Sequence, residues 1–165
     1  MSREHSFNSG DFVVYPTHGV GKITDISKHV VAGQELELIV VRFDKDRMTL
    51  RVPVTKAEQS GLRSLSSQKV MENAITTLKG KAKVKKTMWS RRAQEYEAKI
   101  NSGDPISIAE VVRDLHRSAS QPEQSYSERQ IYEQALDRLA HELAALEKTN
   151  TEEATIKLTK ILQVA

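Results

Sequence analysis

The chain contains no cysteine, which excludes disulfides, thiolate nucleophiles and cysteine-ligated zinc and accords with a reducing compartment. It also lacks any run approaching the roughly 20 apolar residues of a membrane span, and Met1 to Gly10 has no apolar centre of the kind an export signal needs. A cytoplasmic protein is expected. The five histidines, His5, His18, His29, His116 and His141, fall at no metal-binding spacing. There is no phosphate-cradling GxxxxGK loop, and Gly19-Val20-Gly21 lacks the third glycine and the strand-to-helix setting of a dinucleotide site. Carboxylates such as Glu95, Glu97, Glu142 and Glu147 lie on helical stretches that also carry basic residues, the pattern of solvated faces. These absences argue against an enzyme, and no metal, cofactor, small-molecule substrate or membrane contact is expected.

What is present is charge, unevenly placed. A formal charge of +3 and a pI near 9.1 over 165 residues are only mildly basic, so the information lies in distribution. Between Lys79 and Arg92 the sequence KGKAKVKKTMWSRR carries Lys79, Lys81, Lys83, Lys85, Lys86, Arg91 and Arg92, has no acidic residue, and holds Trp89, the only tryptophan of the chain. A basic, acid-free segment around a large amphipathic ring is an electrostatic footprint for nucleic acid.

Everything before this segment reads as β. Phe12-Val13-Val14-Tyr15 is a β-rich run stopped by Pro16, and Thr17-His18-Gly19 supplies a turn. Val20 to Ile26 alternates at period two, Ala32 to Glu35 punctuates, and Leu36 to Phe43 resumes the pattern as the second arm of a hairpin. Asp44-Lys45-Asp46 turns into Met48 to Pro53, where Pro53 ends the strand or marks an edge. Four short strands within about 55 residues fit a small bent sheet or SH3-like barrel, and an edge carrying Arg51 is either protected by Arg51 and Pro53 or offered to a partner.

Everything after it reads as α. Ser67 caps a first helix through Val70, Met71, Ala74, Ile75 and Leu78, with Gly80 at its end. A second helix runs from about Met88 to Asn101. Asp104 and Pro105 form an N-cap with proline at the first helical position, followed by the stripe Ile108, Val111, Val112 and Leu115. Ser127 with Gln130 forms a capping box for a long helix through Leu146, and Thr151 caps a last one. The expectation is an α+β chain of two domains: residues 1–60, a small Tudor/SH3-like β-barrel, and residues 61–165, a compact helical bundle whose basic segment spans 79–92.

A lone tryptophan near a helix start commonly anchors a core. Here Lys85, Lys86, Arg91 and Arg92 flank it, so full burial would drag charges out of water at several kcal/mol per unpaired ion. An exposed ring among such side chains can instead stack on a base or wedge into a base step, with the cations on the phosphates. Taken alone, the Lys79 to Lys86 run also reads as a solvated linker.

The motifs Gly10-Asp11-Phe12-Val13-Val14-Tyr15-Pro16 with His18-Gly19, Leu50-Arg51-Val52-Pro53, Trp89-Ser90-Arg91-Arg92, Ser102-Gly103-Asp104 and Ala109 to Leu115 together resemble the CarD/CdnL family of bacterial RNA polymerase-binding transcription regulators. The resemblance implies a Tudor-like N-terminal module docking on the polymerase β subunit and a helical part contacting promoter DNA at the upstream edge of the bubble. It implies that Trp89 is a minor-groove wedge stabilising open promoter complexes, including those of ribosomal RNA promoters. Arg91, Arg92 and Arg129, with Lys85 and Lys86, would contact the DNA backbone, while Val41, Arg51 and Pro53 match the polymerase-binding surface. Lys28 and His29 stand where some relatives have a basic docking residue, and Gln94 replaces a lysine. A nucleoid-associated monomer is expected. Two rival readings are a small-barrel RNA-binding protein and a polymerase-tethered adaptor.

Overall fold

The computed structural model describes residues 7–84, 86–117 and 124–164. Lys85, one of the expected DNA contacts, and Pro122 of the polar loop lie outside the described residues. The chain divides into two compact units, Met1–Leu65 and Ser66–Ala165, and each builds its own core.

In the first unit β1 (Phe12–Tyr15), β2 (Gly19–Val31), β3 (Gln34–Phe43) and β4 (Met48–Pro53) form an antiparallel meander. After a 3-10 turn at Val54–Lys56, β5 (Arg63–Ser64) returns to pair with β1, giving the order β4-β3-β2-β1-β5. The hydrogen-bonded ring of a closed barrel does not form among the described residues: β4 and β5 remain the two edges. Because β5 pairs with Val13 and Val14, residues 63–64 belong to the sheet, and the helical unit begins at Ser66.

Alternation decides which side chains make the core. Val13, Ile23, Ile39, Val41, Phe43 and Val52 point to one face and are fully or nearly fully buried. Gly21 sits under this layer, where an added Cβ would lie 2.6 Å from Val41 Cγ1 and 2.8 Å from the Phe43 ring. A register shift between Ile23 and Asp25 lets β2 continue well past the core as a long hairpin with β3. Its tip is a two-residue turn with φ of 53° at Ala32 and 78° at Gly33, the all-positive geometry that matches strand twist. Glycine adopts it freely, whereas alanine pays a Cβ clash.

The second unit contains α1 (Gln68–Leu78), α2 (Trp89–Asn101), α3 (Pro105–Leu115), α4 (Tyr126–Glu147) and α5 (Thr151–Val164). Ser67 caps α1 by accepting from Val70 N–H, and Asp104 caps α3 with Pro105 at its first turn. Two caps differ from the sequence expectation. Ser125, not Ser127, caps α4 through Glu128 N–H, because the side chain two residues earlier stands at the extended position that reaches the free amide. For α5 the side-chain oxygen of Asn150, one residue before Thr151, accepts from Glu153 N–H at 2.8 Å. The core joins Leu78, Ile100, Val111, Val112, Leu115, Leu139, Leu143 and Leu158. Glu142 also departs from expectation. It is 4% exposed rather than solvated, and its Oε2 accepts the Ser66 N–H at 2.7 Å. No helix among the described residues is long and apolar enough to cross a membrane, and no cluster of side chains suited to a metal occurs among them.

At the end of α3, His116 Nδ1 lies 3.1 Å from the Tyr132 hydroxyl of α4, and burial lowers the histidine pKa below its ordinary 6.5. A histidine depressed in the fold binds its proton more readily when unfolded. Its stabilising contribution is therefore complete above about pH 6.5 and falls as pH drops below that value. Urea midpoints between pH 7.5 and 5.5 should show a downward slope for the wild type that is smaller in His116→Gln; equal slopes would remove His116 as the cause. At the hairpin tip, Ala32→Asn should raise the stability of the first unit by on the order of 0.5–1 kcal/mol in urea titrations. A loss of stability would show that the turn does not hold this conformation.

Candidate nucleic-acid and partner interfaces

The first four backbone N–H groups of a helix lack partners within the helix, and α2 meets this without a side-chain cap: Met88 occupies the cap position. Trp89 is therefore the first helical residue, and the face of α2 that buries Tyr96 and Ile100 continues through Arg92 to Trp89 at helical spacing. The indole is partly buried against the helical core, 6.2 Å from the Tyr96 ring. Its Nε1–H donates to Ser127 Oγ at 3.1 Å. Because Ser125 makes the cap, Ser127 is left to take this bond, so the first turn of α4 holds the ring edge.

Arg92 lies over the same ring, with Cζ 5.3 Å from the Trp89 centroid and 5.9 Å from that of Tyr96. Its Nε is buried without a hydrogen-bond partner. A cation on an aromatic face gains from the ring quadrupole, more so as water is removed, which makes Arg92 a support of the ring. Arg91, the neighbour on the other face, is exposed, as are Lys79, Lys81, Lys83 and Lys86 of the basic segment and Arg129 in the second turn of α4. The expected DNA contacts Trp89, Arg91, Arg92, Lys86 and Arg129 thus all lie on the basic segment or the starts of α2 and α4.

Two large apolar side chains stand open at these helix starts: Met88, which the sequence places next to Trp89, and Tyr126, which it did not single out. Met88 is 77% exposed and Tyr126, next to Ser127, is 80% exposed. The available signal was their place at the two helix starts, but it has meaning only once the Trp89 to Ser127 bond brings those starts together.

In the first unit, residues directly opposite on neighbouring strands share a face. Val40 faces Arg51 and Leu38 faces Pro53, so β4 presents Arg51 and Pro53 on the side away from the core while forming a sheet edge. His29 lies on this side further along the hairpin, its Nε2 2.7 Å from Ser27 Oγ. Lys28 points to the other side, across from Glu37. Val41 is a correction: it is 0% exposed and its side chain sits in the core, so Val40, one residue earlier, takes the outward position.

Trp89 is the only tryptophan, so its fluorescence reports this site alone. Ser127→Ala removes the indole acceptor, which should cost about 1 kcal/mol of stability and increase acrylamide quenching of Trp89. Unchanged quenching would mean that the bond does not hold the ring in solution.

Comparison with known proteins follows the same division. Residues 7–66 match the family model of the CarD-like/TRCF RID domain, and residues 73–159 match that of the CarD C-terminal domain. A curated relative, named "Putative transcription factor YdeB", from Bacillus subtilis (strain 168), is 27% identical over 140 residues, covering 85% of this chain and 92% of the relative. The solution NMR structure of the 72-residue N-terminal domain of Myxococcus xanthus CarD shares 36% identity over 35% of this chain and 77% of that domain, with a TM-score of 0.31. With both family models matched in order along the chain, the protein belongs to the CarD family of transcription factors.

Proposed function

We propose that the protein is a transcription regulator that docks on the β subunit of RNA polymerase through its N-terminal sheet and stabilises open promoter complexes through its helical unit. The observation that carries this reading is the Trp89 ring, edge-bonded to Ser127 and backed by Arg92, among the exposed cations Lys86, Arg91 and Arg129. Cations of this kind hold phosphates without reading sequence, while an aromatic group acts on the base stack. Binding should then be salt-dependent and respond to how easily the DNA opens. Lys85 belongs to the same basic segment in sequence.

Docking is assigned to the edge strand β4 with Arg51 and Pro53, assisted by His29 on the same face; Lys28, on the opposite face, would add only charge to the hairpin. A sheet edge presents main-chain groups that a partner strand can pair with. In this reading the N-terminal unit is a Tudor-like module, and the return of β5 to β1 supports it. The protein works as a monomer at the nucleoid, brought there by polymerase.

The mechanism is differential binding. A factor shifts the closed-to-open equilibrium only by as much as it binds the open form better. A wedge or stacking contact made only at an opening step is worth on the order of 1–3 kcal/mol, about fivefold to 150-fold in that equilibrium. The effect is largest at promoters whose open complexes are unstable, such as those of ribosomal RNA.

The test is the lifetime of open complexes formed by the cognate polymerase on a ribosomal RNA promoter. The wild type should lengthen it at least severalfold; Trp89→Ala should lose that effect while still binding polymerase, and Arg51→Glu should lose both. If Trp89→Ala lengthens the lifetime as the wild type does, the wedge is wrong.

A further inference from the structure

Two charged side chains are buried among the described residues, Asp114 and Glu142, each 4% exposed. Each accepts a main-chain N–H from a segment flanking α1. Glu142 takes Ser66 N–H before the helix, and Asp114 Oδ1 takes Lys83 N–H after it at 2.9 Å. The same Oδ1 receives Arg113 Nε at 2.9 Å, in a pair whose side chains are almost wholly buried. A buried carboxylate persists only with such partners.

The basic segment therefore rests on the end of α3. Gly80 lies beside Arg113, where an added Cβ would sit 3.7 Å from Cδ, and three residues later Lys83 is tied to Asp114. From Lys83 and Asp114 a cavity of about 310 Å³ reaches across to Arg92 and Tyr96 of α2. Lys83 thus lines the same cavity as the arginine that backs Trp89, and is itself an exposed residue.

We propose that Asp114 is a positioning residue for nucleic-acid binding: by fixing Lys83 N–H it turns the run Lys79, Lys81 and Lys83 from a free linker into a cationic ridge in register with Arg92 and Trp89. This rests on the nucleic-acid reading above. Asp114 touches no nucleic acid, since it is buried and acidic. Its effect is on where the neighbouring positive charges stand, and hence on how many phosphates are neutralised together.

Glu142 supplies the control, being an equally buried acid in the same unit that holds a main-chain N–H away from the basic segment. Full-length wild type, Asp114→Ala, Asp114→Asn and Glu142→Ala are compared by anisotropy on a fluorescent bubble duplex over a salt series, below the melting temperature of each. Amide exchange at Lys83 is followed alongside. Asp114→Ala should bind about three- to tenfold more weakly at low salt, flatten the log K against log salt slope by about one, and speed Lys83 exchange. Asp114→Asn, whose carboxamide oxygen still accepts the N–H, should recover most of the slope. Glu142→Ala should melt lower yet keep the wild-type slope. The proposal is overturned if Asp114→Ala keeps the wild-type slope and affinity, or if Glu142→Ala loses as much as it does. A wild type that shows no salt-dependent binding overturns the nucleic-acid reading, and the role of Asp114 in it, even where Lys83 exchange shows that the segment is pinned.

Discussion

The helical unit is constrained by a pair of buried carboxylates, Asp114 and Glu142. The five helices of the described residues surround one modest core that leaves little stability to spare, so a charged group inside it must be fully partnered. Glu142 and Asp114 are partnered by main-chain N–H groups of the segments that enter and leave α1. The requirement that a buried charge be satisfied thus becomes a requirement that these two segments follow one course. The second of them carries the lysines, and the start of α2 follows directly.

At that start the amphipathic character of tryptophan is divided between two demands. The indole N–H is bonded to Ser127 and one part of the ring packs on the core, as the usual anchor role predicts. Arg92 spreads over a face, so a positive charge is held against the ring. A ring fixed at its edge and backed by a cation loses little further freedom when it engages a ligand. Burial and availability are therefore compatible for Trp89, since only part of the ring is enclosed.

The N-terminal sheet solves a different constraint. Its side chains fill a core on one face, with Gly21 leaving room for Val41 and Phe43, and the opposite face and the β4 edge are left with Arg51 and Pro53. Proline on an edge cannot donate to a further ladder, and a charged residue there discourages indiscriminate pairing. An edge with those two residues is thereby protected against indiscriminate pairing. The family match over residues 7–66 is consistent with a module kept for interaction.

Local rules were readable from the sequence wherever the cause is local. The β-rich first part, the strand from Met48 to Pro53, the caps Ser67 and Asp104 with Pro105, and the apolar stripe of α3 follow from period, turn chemistry and capping, which act over a few residues. The concentration of Lys79 to Arg92 around one tryptophan was equally plain. Tertiary structure decided what depends on distant partners: that Val41 turns inward and Val40 outward once β3 is flanked on both sides, that Glu142 is buried on Ser66, that Asp114 pins Lys83, and that Ser127 serves the indole instead of a cap. A period of two says that neighbours alternate but not which set meets the core. A carboxylate on a helix shows its charge in the sequence, while its burial is set by an N–H 76 residues away for Glu142 and 31 away for Asp114.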